Sequence, residues 1–155
     1  MTSASSTLSE TSSPETKRRN LFYIAISLLS LGGLADSIYL TVQHITGESV
    51  RCTIISGCSE VLSSSYAVIA GFPLASIGAL AYFSVFSLAI LAVFGYRVAG
   101  QFLLPLVLAM CLVSLWLIYL QGFVIRHFCQ FCLLSAGITF TMTLLVLLNW
   151  RLNKR

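Results

Sequence analysis

Charged side chains are scarce in this 155-residue chain, at 9% of residues against 57% apolar. A soluble domain carries roughly 25% charge. The shortage excludes an ordinary water-facing surface and points to a bilayer as solvent. The net charge of +4 does not imply a nucleic-acid partner, because the basic residues sit at segment ends, where membrane topology uses them. A small-residue cleavage site is missing after the first apolar run, which is also too long for a signal-peptide core, so a cleaved signal is not expected. There is no internal repeat and no heptad pattern. The first residues, mostly Ser, Thr and Glu, offer nothing for a core and are expected to be disordered.

Four long apolar runs remain, at 21–43, 73–94, 102–125 and 128–150. Each holds about 22 to 24 residues, or roughly 33 to 36 Å as helix, enough to cross a hydrocarbon core of about 30 Å with some tilt. Backbone amides in lipid must be satisfied internally, so helices are the economical solution. A soluble all-α protein with buried helices fits such sparse charge poorly. The expected fold is an all-α membrane protein, a four-transmembrane-helix bundle with an outward loop carrying a short helix between helices 1 and 2. The expected division is a disordered cytoplasmic tail at 1–19, a membrane domain at 20–150 and a cytoplasmic tail at 151–155. In the loop, Thr46-Gly47-Glu48 reads as a turn and 58–65 as two turns of helix. Pro73 reads as a first helical residue.

Lysine and arginine set the expected orientation. Lys17, Arg18, Arg19, Arg97, Arg151, Lys154 and Arg155 share one side of a four-span topology, and only Arg51 and Arg126 lie on the other. The positive-inside rule puts the seven in the cytoplasm. Both termini are then cytoplasmic, and the loop 44–72 and the turn 122–127 face outward.

Four of the five cysteines fall on that outward side. Cys52 and Cys58 are in the loop, and Cys129-Gln130-Phe131-Cys132 opens the fourth run. One helical turn separates Cys129 from Cys132, so both share a face. A helix N-terminus favours thiolates, and a second dithiol in a mobile loop gives the pair something to exchange with. Inert structural disulfides are a competing reading. A four-thiolate zinc site fits less well, because the gap between Cys52 and Cys58 is too long. Cys111 reads as a small buried apolar residue.

With these residues in view, the chain resembles the vitamin K epoxide reductase family in its bacterial form. The resemblance runs through Asp36-Ser37-Ile38-Tyr39-Leu40, His44, Cys52, Cys58, Ser64 and Tyr66. It continues in Gly71-Phe72-Pro73-Leu74, Gly78 to Tyr82, and the Cys129–Cys132 motif with Ser135. It implies a thiol–quinone oxidoreductase. The membrane dithiol passes electrons to a quinone of the menaquinone or ubiquinone type. The loop dithiol re-reduces it, drawing on a thioredoxin-like (DsbA-like) extracytoplasmic partner in support of disulfide formation. Vertebrate members carry a tyrosine four residues beyond the last cysteine, where this chain has Ala136. Many bacterial members carry a fused thioredoxin-like domain. Here the chain ends at Arg155, so the partner is expected to be a separate protein and the site of action the cell inner (plasma) membrane. The alternatives are a reductase serving mainly vitamin K-type quinones or their epoxides, and a non-enzymatic membrane scaffold with structural disulfides. The other four-helical bacterial thiol–quinone oxidase family places its Cys-x-x-Cys in the first outward loop, the reverse of the order here.

The resemblance makes Cys52, Cys58, Cys129 and Cys132 the expected catalytic residues, and Cys132, Ser64, Tyr66, Asp36 and Ser135 the expected quinone contacts. An acid inside a span is a functional candidate by default, and Asp36 is placed to relay the protons that quinone reduction consumes. Cys132, one turn deeper than Cys129, is expected to face the quinone, and Cys58 to exchange with Cys129. His127 is close enough to tune Cys129, and Trp116 is expected to pack inside. A membrane-impermeant thiol reagent should label reduced Cys52 and Cys58 from the outer face of sealed cells and not from the cytoplasmic face of inverted vesicles. Labelling from the cytoplasmic face would overturn the orientation.

Overall fold

The structure, a computed structural model, describes residues 13–47, 58–69 and 71–154. Four of its helices are long and apolar enough to cross a membrane. Helix α1 is Pro14–Thr46, α3 is Leu74–Val93, α4 is Arg97–Tyr119 and α5 is Gln130–Lys154. Between α1 and α3 lie the short helix α2 (Cys58–Leu62), a 3₁₀ turn (Ser65–Ala67), and strands β1 (Val68–Ile69) and β2 (Phe72–Pro73), paired antiparallel. Around the bundle, α1 lies between α3 and α5, and α4 closes the ring against the same two helices. The loop elements, the end of α4 and the start of α5 therefore gather at one end.

Several boundaries differ from those expected. Helix α1 starts at Pro14, where the tail was expected to be disordered. Proline suits the first helical turn, Glu15 favours the positive helix end, and the Ser13 and Thr16 hydroxyls meet at 3.0 Å. Residues 1–12 of that tail, and Cys52, lie outside the described residues. Pro73 precedes α3 rather than opening it, because its ψ of 131° is extended and β2 uses it. The short loop helix stops at Leu62 rather than Ser65. The expected turn at 122–127 is mostly helical: α4 continues into a π-helical turn, Leu120–Ile125, and the chain reverses at Arg126 through a left-handed φ of 57°.

The bundle is no more apolar inside than out, as a lipid solvent allows. Leu28, Leu80, Leu112 and Leu144 lie exposed on the outer faces, while Ile26, Tyr82, Val85, Leu103, Val107 and Met142 form the core. Trp116 faces outward instead of packing inside, next to Tyr119, which stacks on Phe123. Interior hydroxyls bond back to their own helix. Ser27 donates to the Tyr23 carbonyl at 2.9 Å and Thr143 to that of Thr139 at 2.8 Å. Such bonds remove the cost of a bare polar group where no water reaches.

Three helices converge on Tyr82 of α3, which is 2% exposed. Its hydroxyl donates to the Ser135 carbonyl at 2.9 Å and meets the Ser135 and Thr139 hydroxyls at 2.8 and 2.9 Å, all on α5. Its ring lies on Gly33 of α1, where an added Cβ would come within 2.3 Å of the ring. Only glycine lets α1 and α3 approach this closely. Overpacking of this kind costs about 1–3 kcal/mol. Gly33→Ala should lower the thermal midpoint in detergent accordingly. Gly32→Ala, whose added Cβ would have its nearest neighbour 3.9 Å away, should leave that midpoint nearly unchanged. Equal stability of the two variants would refute this packing account.

Candidate redox site

The chemistry gathers where α5 begins. Cys129 stands immediately ahead of α5, at the position that caps it. Its carbonyl accepts the Leu133 N–H at 3.0 Å, and its Sγ accepts the Cys132 N–H at 3.4 Å. A sulfur thus fills the capping role that a serine or aspartate oxygen fills elsewhere. The Cys129 N–H in turn donates to Gln121 Oε1 at 2.9 Å. Gln121 sits in the π-helical turn and is 3% exposed. The wider turn carries that side chain inward, so the end of α4 is tied to the head of α5.

This setting lowers the Cys129 thiol from its ordinary 9.0 to about 7. The largest cause is a hydrogen bond from the Cys132 side chain, followed by opposing burial and by support from the Cys132 and Phe131 backbone N–H groups. His127 stays exposed and is not among those causes. Cys129, Cys132 and Cys111 are free thiols, whereas Cys58 is disulfide-bonded.

Cys58 and Cys129, 1% and 0% exposed, belong to one buried cluster with Leu40 and Val61, and Cys132 packs against its edge. Helix α2 thus carries a loop cysteine to the head of α5. Cys132 also lines a cavity of about 130 Å³ between the bundle and the loop, whose wall shares Leu40 and Val61 with that cluster. Asp36, Ser64, Tyr66 and Ser135 line the same cavity, so all five residues expected at a quinone are brought together. Leu40, Leu74, Leu117 and Ile118 supply apolar walls, and His44, Gln121 and Ala136 also reach it.

Two hydroxyls there are already engaged. Ser64 donates to the Val61 carbonyl at 2.7 Å, acting as a local cap, and Ser135 meets Tyr82. Asp36 Oδ2 is buried and has no hydrogen-bond partner among the described residues. A dry cavity of about 150 Å³ accepts a benzene ring, so this volume suits a ring headgroup rather than a whole isoprenoid lipid. The open carboxyl oxygen gives such a headgroup a polar contact. Gln121 escaped the sequence reading, since one amide in an apolar run gives no sign of what it will meet. Among the described residues no group of three His, Cys, Asp or Glu side chains is arranged to hold a metal ion.

The Cys129 shift has a defined sign. A thiol whose folded value is depressed adds stability above the unfolded value of 9.0 and loses it as pH falls through about 7. Thiolate absorbance of purified protein should half-titrate near pH 7 and vanish in Cys129→Ser. Cys132→Ala should move the midpoint upward. An unchanged midpoint in that variant would refute the assigned cause.

The model of the vitamin K epoxide reductase family matches residues 24–147. Thiol-disulfide oxidoreductase LTO1 of Arabidopsis thaliana is 33% identical over 118 residues, which cover 70% of this chain and 31% of that protein. The chain therefore spans about a third of the length of this relative.

Proposed function

The chain belongs to the vitamin K epoxide reductase family, and we propose that it works as a membrane thiol–quinone oxidoreductase, taking electrons from a separate thioredoxin-like protein. The observation that carries this reading is the division of labour within the Cys-x-x-Cys pair. Cys132 faces a small apolar cavity, and Cys129 lies in the cluster that holds Cys58. The name of the plant relative, a thiol-disulfide oxidoreductase, agrees with it.

Each residue then has a task. Cys52 and Cys58 form the loop dithiol, with Cys52 open to the external partner and Cys58 set to exchange with Cys129. A quinone bound in the cavity, menaquinone or ubiquinone, supplies a sink for two electrons and two protons. Cys132 presents its sulfur to the cavity. Cys129, as a thiolate, closes the Cys129–Cys132 disulfide behind it. The Cys132 thiol gives up one proton, and Asp36 holds the second at Oδ2. Tyr66 borders the headgroup, and Ser64 and Ser135 shape the wall with hydroxyls that remain able to accept hydrogen bonds. Ala136 brings no hydroxyl to the cavity, which favours thiol oxidation over epoxide reduction. The seven-to-two division of basic residues supports cytoplasmic termini and extracytoplasmic redox loops, and the bacterial form of the family points to the inner membrane.

Quinone reduction by the purified protein with a reduced thioredoxin-like donor tests the reading. Wild type should turn over, and Cys132→Ser should fall to background while accumulating a Cys58–Cys129 disulfide. Thiol oxidation without any quinone, or a dominant Cys52–Cys132 crosslink, would overturn the scheme.

A further inference from the structure

A second cavity, of about 530 Å³, opens at the opposite end of the bundle. Arg19 and Tyr23 of α1 line it, with Arg97 of α4, Asn149 of α5 and the Gly95–Tyr96 turn. It lies at interfacial depth: Arg19 stands two residues before the first apolar run, and Arg97 follows the tight turn between α3 and α4. Its polar groups are built in. Asn149 is 6% exposed. The Tyr23 hydroxyl comes within 3.0 Å of where a Cβ on Gly100 would stand, so the two lie in close contact. Arg19 Nε is buried with no hydrogen-bond partner among the described residues. Among the described residues no acidic side chain lines the cavity.

A buried guanidinium N–H without an acceptor is costly, and topology alone does not require it, since Lys17 and Arg18 supply exposed charge at the same place. Guanidinium groups match phosphate oxygens in geometry and charge, and basic pockets between spanning helices hold lipid headgroups. We propose that this cavity binds a phosphate group, with Arg19 and Arg97 as its cationic contacts and Tyr23 and Asn149 as neutral donors. The phosphate of an anionic lipid and free phosphate present the same oxygens and a net negative charge to these groups, whereas the choline of phosphatidylcholine cancels that charge.

Thermal midpoints of the purified full-length protein in neutral detergent test the site. The additives are short-chain phosphatidylglycerol, phosphatidylcholine or inorganic phosphate. A saturable rise with phosphatidylglycerol and none with phosphatidylcholine supports the site and identifies a lipid as source. A rise with inorganic phosphate alone supports it with the free ion as source. Arg97→Gln, at the exposed rim where folding is not at stake, should weaken the apparent affinity about fivefold, and adding Arg19→Gln should weaken it about as much again. Arg18→Gln removes the same charge from an exposed neighbouring position and should change the affinity less than about twofold. Equal response to both lipids, no response to any additive, an unchanged Arg97→Gln, or an equal loss in Arg18→Gln would overturn the proposal.

Discussion

The Tyr82 hydroxyl is bonded where no water is available to replace its partners, and the arrangement of the cysteine end depends on that constraint. In lipid each polar group must be satisfied by the protein itself. Tyr82 meets this demand by binding Ser135 and Thr139, which fixes α3 against α5, while its ring lies on the bare backbone of Gly33 and fixes α1. Asp36, one turn beyond Gly33, and Cys132, one turn before Ser135, are thereby held around one cavity. A hydrogen-bond rule and a steric rule jointly determine where the carboxyl and the thiol stand.

A second tie does the same for the other half of the site. The Gln121 amide crosses from the end of α4 to the Cys129 N–H. That N–H precedes the first turn of α5 and has no partner within the helix. Gln121 reaches it because the chain leaves α-helical spacing there. Departures of this kind recur at functional sites, and here the departure turns a polar side chain toward the thiol it positions.

Much of this was legible in the sequence. The four spans followed from apolar length and scarce charge, the all-α bundle from the need to satisfy backbone amides in lipid, and the family from the cysteine order and the motifs around Asp36 and Gly71. The cavity joins the five residues that the resemblance had associated. What escaped the reading depends on contacts between distant segments. The glycine that receives Tyr82 is one of two adjacent glycines, and only the packing distinguishes Gly33 from Gly32. Trp116 was misplaced because in lipid a large apolar side chain gains little by turning inward. The helix start at Pro14 rests on a proline and an acid in the first turn, which composition alone does not reveal. Gln121 has a role only because the π-helical turn exists.

The sulfur cap on α5 bears on the energetics of electron transfer. Cys129 accepts hydrogen bonds from the helix head only while its sulfur is free to carry charge. Closing a disulfide withdraws that charge and leaves the helix end short of an anionic acceptor. The reduced pair is therefore the favoured partner of the helix, and a dithiol stabilised in this way makes its disulfide a stronger oxidant. The reduction potential of the pair is set partly by the geometry of a helix end. The same few bonds that position the thiol would also set how strongly a Cys129–Cys132 disulfide oxidises another thiol.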